Sequence, residues 1–152
     1  MRSSQMILKK GFIWPLLILG LNGCHSVPVI DTLPILKQTL SLQVTDADGS
    51  NSLLLIEPLT LQQWRFVQVD SLGAPVSRQI LQRGKWHNDG FLPPNPKARQ
   101  LFTAVYAYLG HQHHWPVPAT LNDVRISSSA DGAVADISWH KQHWQIREMA
   151  ND

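Results

Sequence analysis

The chain holds one thiol, Cys24, and it ends the stretch Leu19-Gly20-Leu21-Asn22-Gly23-Cys24. A lone cysteine leaves no second thiol for a disulfide. Imidazoles form a second set. His111, His113 and His114 follow a predicted helix, and His140 and His143 fall in a predicted hairpin. Five such rings would suit zinc or copper if they converged. Their spacing matches no zinc pattern, however, and polar or cationic side chains are favoured at a helix C-terminus in any case. No metal and no cofactor is expected. Catalytic groups are sparse. Glu57 and Glu148 are the only glutamates, nothing places them as an acid/base pair, and there is no Gly-x-Ser-x-Gly elbow or phosphate-binding glycine loop. Asp136 and His140 could share a strand face, but no activated nucleophile accompanies them, and Asp123 with Arg125 reads as a surface pair. The expectation is a protein that is not an enzyme.

The segment around Cys24 has a fuller context. A basic head (Arg2, Lys9, Lys10) precedes an apolar run from Phe12 to Leu21, ten residues that include Pro15. That is too short for a bilayer-crossing helix of roughly 20 residues. The arrangement resembles a bacterial lipoprotein signal peptide with its lipobox. The resemblance implies cleavage before Cys24, acyl chains on that residue and a chain hung from a membrane surface. His25 stands where an Asp would resemble an inner-membrane retention signal, so the implied location is the periplasmic face of the outer membrane. The alternative is an uncleaved N-terminal anchor with a coincidental cysteine.

Without residues 1–23, 129 of the 152 residues remain, enough for one domain. Arg2, Lys9 and Lys10 leave with the leader; 13 less 3 gives 10 basic against 11 acidic side chains, a net of −1. The remaining Lys and Arg are scattered, which argues against nucleic-acid binding. Prolines 28 and 34 mark residues 24–39 as a tether, and the folded domain is expected over 40–152.

Strand signals dominate that domain. Leu40, Leu42 and Val44 alternate with polar residues. Asp46-Ala47-Asp48-Gly49 reads as a turn, and Leu53–Ile56 as a second strand stopped by Pro58. Leu59 to Val69 reads as one long strand, Ser71-Leu72-Gly73-Ala74 as a hairpin, and Pro75 to Trp86 as the returning strand, with Val76, Ile80 and Trp86 on one face. A helix is predicted from Asn95 (N-cap) and Pro96 to a closing Gly110. Its apolar stripe is Ala98, Leu101, Phe102, Val105, Tyr108 and Leu109. Asn122–Ser127 is a short strand. Ala133–Trp139 and Trp144–Met149 form a last hairpin. The expected fold is mainly β (α+β): an antiparallel half-barrel sheet with one principal amphipathic helix on its concave face.

That order of pieces resembles the periplasmic lipoprotein-localisation proteins LolA and LolB. The segment from Trp64 to Gly73 is similar to the strand and Leu-Gly turn of LolB. Gly90-Phe91-Leu92-Pro93-Pro94-Asn95-Pro96 and the helix after it resemble an uncharacterised bacterial lipoprotein family, a domain of unknown function associated with aryl polyene gene clusters. The resemblance implies an apolar cavity under a helical lid that receives or passes on an acylated molecule, either a lipoprotein or an aryl-polyene lipid. A periplasmic carrier protein is the implied partner, besides the membrane reached through acylated Cys24. Trp64, Phe66, Trp86, Leu101, Val105 and Trp139 are the side chains expected to line such a cavity; the alternative is that they fill a solid core. Leu72 matches the leucine that touches the membrane during transfer. Phe91-Leu92 is expected to cap the end of the half-barrel; the alternative is a loop that inserts into the bilayer. The competing function is a structural accessory lipoprotein that docks onto an envelope complex and holds no ligand.

Overall fold

The computed structural model describes Ile30 and residues 33–150. The expected leader and Cys24 lie outside the described residues. Among the described residues, no helix is long and apolar enough to cross a membrane.

Eight strands form one antiparallel sheet in the order β5-β4-β3-β2-β1-β8-β7-β6. In chain order they are β1 (Leu40–Asp46), β2 (Asn51–Thr60), β3 (Gln63–Asp70), β4 (Pro75–Gln82), β5 (Lys85–Asn88), β6 (Arg125–Ser128), β7 (Ala135–Trp139) and β8 (Gln142–Met149). One α-helix, α1 (Pro96–His113), lies between β5 and β6 in the chain. The first strand and the last pair centrally, with Val44 opposite Ile146, so two meanders are joined into one sheet. β5 and β6 stand at its margins, and the sheet is unclosed. The helix contacts β4 and β7, each one strand in from a margin. Touching both flanks requires the sheet to curl around the helix. This is the mainly-β, α+β architecture that the alternating patterns implied.

One end of the sheet, here called upper, carries the turns after β1, β3 and β7. The other, lower end carries the turns after β2 and β4, and the start of β1.

Local chemistry explains where the strands depart from expectation. β2 does not stop at Pro58 but runs to Thr60. Pro58 lies past the end of β1, which begins opposite Ile56, and beside an irregularity between Pro58 and Thr60. A missing N–H disrupts little there. The expected strand 59–69 is broken by a turn at Leu61-Gln62. The expected strand 75–86 is two strands, because Arg83 (φ 48°) and Gly84 (φ 70°) make a two-residue hairpin. That turn changes the facing residues. Leu81 pairs with Trp86 and both face the helix, together with Ser77 and Gln79, while Val76 is partly exposed. The last hairpin turns at His140 (φ 46°) and Lys141 (φ 65°), tighter than the predicted turn over 140–143.

The helix starts as predicted. Asn95 accepts the backbone N–H of Ala98 at 3.0 Å, and Pro96 occupies the first helical position. It does not close at Gly110. It continues to His113, and His114 caps it in the left-handed region at φ 54°. Gly110 has another role: a Cβ there would overlap Val117 Cγ2, so the connector after the helix packs directly on the glycine. Nor is the apolar surface a single stripe. Every residue from Leu101 to Gly110 is buried, as expected of a helix enclosed on all sides.

Regular structure begins at Leu40, but packing begins earlier. Ile30 is buried in the core, and Leu33 and Leu36 lie against it. Within the segment read as a tether, Ile30, Leu33 and Leu36 are therefore docked on the domain.

Candidate functional site

The six side chains expected to line a ligand cavity all belong to or adjoin the core. Phe66 on β3 stacks on Phe102 of α1 at 5.3 Å between ring centroids and meets Trp86 of β5 edge-on at 4.9 Å. Trp64, two residues earlier, packs on Tyr106 at 6.0 Å and on Trp115 at 5.5 Å. Leu101 and Val105 fill the helix side of the same core. Trp139 sits on the opposite flank, where its indole N–H donates to Asp123 at 3.0 Å. The Trp86 indole N–H is buried and finds no acceptor among the described residues. Phe102, Tyr106 and Trp115 complete these clusters.

Polar groups fix the upper end of the helix. Gln79 Nε2 donates to Ser77 Oγ at 3.0 Å and to the Asn95 carbonyl at 3.2 Å. Arg99 Nε donates to Gln79 Oε1 at 2.9 Å, and the Thr103 hydroxyl donates to the Arg99 carbonyl at 2.8 Å. Buried Ser77, Gln79 and Thr103 are thus paired, as buried polar groups must be. Beside them lies a small cleft of about 90 Å³, bordered by Gln68, Leu101 and Trp144.

A larger space lies on the other flank. Between the last turns of α1 and the β6 margin there is a cleft of about 470 Å³. This falls within the range of small-molecule sites, roughly 300–1,000 Å³. Tyr108, Val124 and Ile126 supply its apolar wall, and His111, Gln112, Asn122 and Ser128 its polar one. The cleft follows from the topology: β6 has only four residues and no strand beyond it, and the last turn of the helix, with His111 and Gln112, is exposed there. Burial pushes the Tyr108 hydroxyl pKa above its ordinary value, against a hydrogen bond from Gln112 Nε2 at 3.5 Å. The polar wall offers hydroxyl, amide and imidazole groups, and no carboxylate is among them. Of these residues, only Tyr108 belongs to the predicted stripe. Val124 and Ile126 alternate in the sequence, and that spacing was the signal available for this wall.

Leu72 is 91% exposed at the tip of the β3–β4 hairpin. The turn beneath it is well held. The Asp70 carboxylate accepts the N–H groups of Leu72 at 2.9 Å and Ala74 at 2.8 Å, and Gly73 takes φ 83°. Phe91 is also fully exposed. It does not cap the sheet, and only Leu92 of that pair is partly buried.

The histidines lie at opposite ends of the molecule. His113 stacks on Trp115 at 4.7 Å near the lower end. His140 packs on Trp139 at 4.2 Å at the upper end. His143 Nε2, rather than His140, approaches Asp136, at 3.4 Å. Among the described residues, no three His, Cys, Asp or Glu side chains group as metal ligands.

No family model matches the chain, and no curated protein or solved structure matches it either.

Proposed function

We propose that this chain is a LolA/LolB-like lipoprotein of the periplasmic face of the outer membrane. It is anchored by acylated Cys24 and binds or passes on a hydrophobic, acylated molecule. The observation that carries this reading is the cleft of about 470 Å³ at the unclosed margin of a sheet curled around one buried helix. An acyl chain would lie against Tyr108, Val124 and Ile126, with its polar head towards Gln112, Asn122 and Ser128. A lipoprotein or an aryl-polyene lipid is the ligand class, and a periplasmic carrier is the natural donor. Leu72, held out on a rigid turn, is the apolar contact offered to a membrane during transfer.

The reading moves the ligand from the core to the margin. The mutual packing of Phe66, Trp86 and Phe102 at 4.9–5.8 Å favours a second reading for that part of the molecule: a filled core in a structural accessory that docks onto an envelope complex. Probe binding separates the two. A carrier takes up a hydrophobic fluorescent probe such as 1-anilinonaphthalene-8-sulfonate and releases it to palmitate. An accessory takes up none and yields a partner on cross-linking in membranes.

A further inference from the structure

The lower end of the sheet has a surface that the cleft does not use. Leu61, in the β2–β3 turn, is 72% exposed, Ile35 is 69% exposed, and Leu59 is also exposed. With Leu36 and Pro58 they border a groove of about 320 Å³. Basic residues neighbour it in sequence and in register. Lys37 follows Ile35 by two residues. Arg83 and Lys85 come from the β4–β5 turn, which register places beside the β2–β3 turn because Gln63 pairs with Gln82. All three are exposed. None of residues 33–40, 58–63 and 82–86 is acidic. Two of the three upper hairpins have the opposite character: residues 46–51 and 70–75 contain Asp46, Asp48 and Asp70 and no basic residue, while the β7–β8 turn carries Lys141.

We propose that this lower end is a membrane-docking surface, with Ile35, Leu59 and Leu61 entering the interfacial layer and Lys37, Arg83 and Lys85 meeting anionic lipid headgroups. The inference rests on the anchoring assigned to Cys24. Five residues lie between Cys24 and buried Ile30, a length of chain that spans at most about 20 Å. A domain so closely held must rest some face on the bilayer. Exposed apolar residues ringed by cations mark such a face, since each Lys or Arg near an anionic surface adds roughly a fivefold preference. Leu72 stands at the opposite end, on a hairpin without a basic residue, a full strand away, about 25 Å for the eight residues of β3. In the docked state it points away from this bilayer and towards an incoming carrier or a second membrane.

The test uses the acylated full-length protein in vesicles containing phosphatidylglycerol. Acylation of Cys24 consumes the one native thiol, so Leu61→Cys, Ile35→Cys and Leu72→Cys each supply a single labelling site for nitrobenzoxadiazole. The expected result is a blue shift and quenching by nitroxide lipids at positions 61 and 35 and not at 72. The Arg83→Glu/Lys85→Glu change should reduce quenching at 61 to the level seen at 72. Unquenched labels at 61 and 35 overturn the surface. So does shielding of those labels from aqueous iodide before vesicles are present, which would mean that the chain's own N-terminal residues cover the groove. Mass spectrometry of the unlabelled protein keeps the two claims apart. Acylated Cys24 with an unquenched position 61 removes the surface and leaves the anchor. A bare thiol, with position 61 quenched when Leu61→Cys is made beside Cys24→Ser, does the reverse.

Discussion

Replacing Gly110 with Ala tests how the helix meets the connector that follows it. Gly110 lies inside α1, and Val117 folds back over it so closely that an added Cβ would overlap Val117 Cγ2. Two effects oppose each other. Alanine in a helix interior is favoured over glycine by about 1 kcal/mol. An extra carbon forced into a packed contact costs about 1–3 kcal/mol, and a β-branched valine has little rotamer freedom to move aside. The overlap therefore wins, and Gly110→Ala should lose roughly 1 kcal/mol. In a Val117→Ala background the obstacle is gone, and the same change should gain about 1 kcal/mol. The coupling between the two sites is then about 2 kcal/mol, well above the few tenths expected of independent positions. Urea unfolding followed by tryptophan fluorescence on the four proteins measures it. A coupling near zero refutes the reasoning. So does a Gly110→Ala protein that is stabilised with Val117 in place.

Phe102→Ala should cost about 3–5 kcal/mol, since its ring packs between Phe66 and Trp86; a loss under about 1 kcal/mol would mean that the aromatic core is not filled. Burial pushes the Tyr106 hydroxyl up to about 12, above the ordinary phenol near 10. Between those values the unfolded chain loses its phenolic proton while the folded chain keeps it, so stability should fall by about 1.4 kcal/mol per pH unit. Below pH 10 this contribution is fully present, and Tyr106→Phe should flatten the alkaline limb in pH-dependent urea melts. Leu72→Glu should leave stability within about 0.5 kcal/mol, as for other exposed positions, while lowering transfer of an acylated cargo to liposomes; unchanged transfer by a folded variant removes the role of Leu72.

Much of the architecture was legible because alternation and capping are local signals. Leu40, Leu42 and Val44 announced β1, and Asn95-Pro96 announced the helix start to the residue. What could not be read depended on tertiary partners. Pro58 signals a strand end unless β1 has already stopped beside it. Arg83-Gly84 becomes a hairpin because it joins β4 to a margin strand of only four residues. Gly110 has the composition of a helix stop and acts instead as a contact site for Val117. The candidate cleft was missed for a related reason. Large aromatic residues draw attention to an interior, whereas the space lies where a short strand leaves the last turn of the helix exposed. Val124 and Ile126 carry that information only once β6 is known to be the last strand of an unclosed sheet.

The most direct measurement is photo-cross-linking of a diazirine-bearing palmitate to the membrane-extracted protein, with the adducts mapped by peptide mass spectrometry. Adducts in the peptides that carry Tyr108–Gln112 and Asn122–Ser128, competed away by ordinary palmitate, are the predicted result. Adducts on Trp64, Phe66 or Trp86, or none that palmitate displaces, would contradict it.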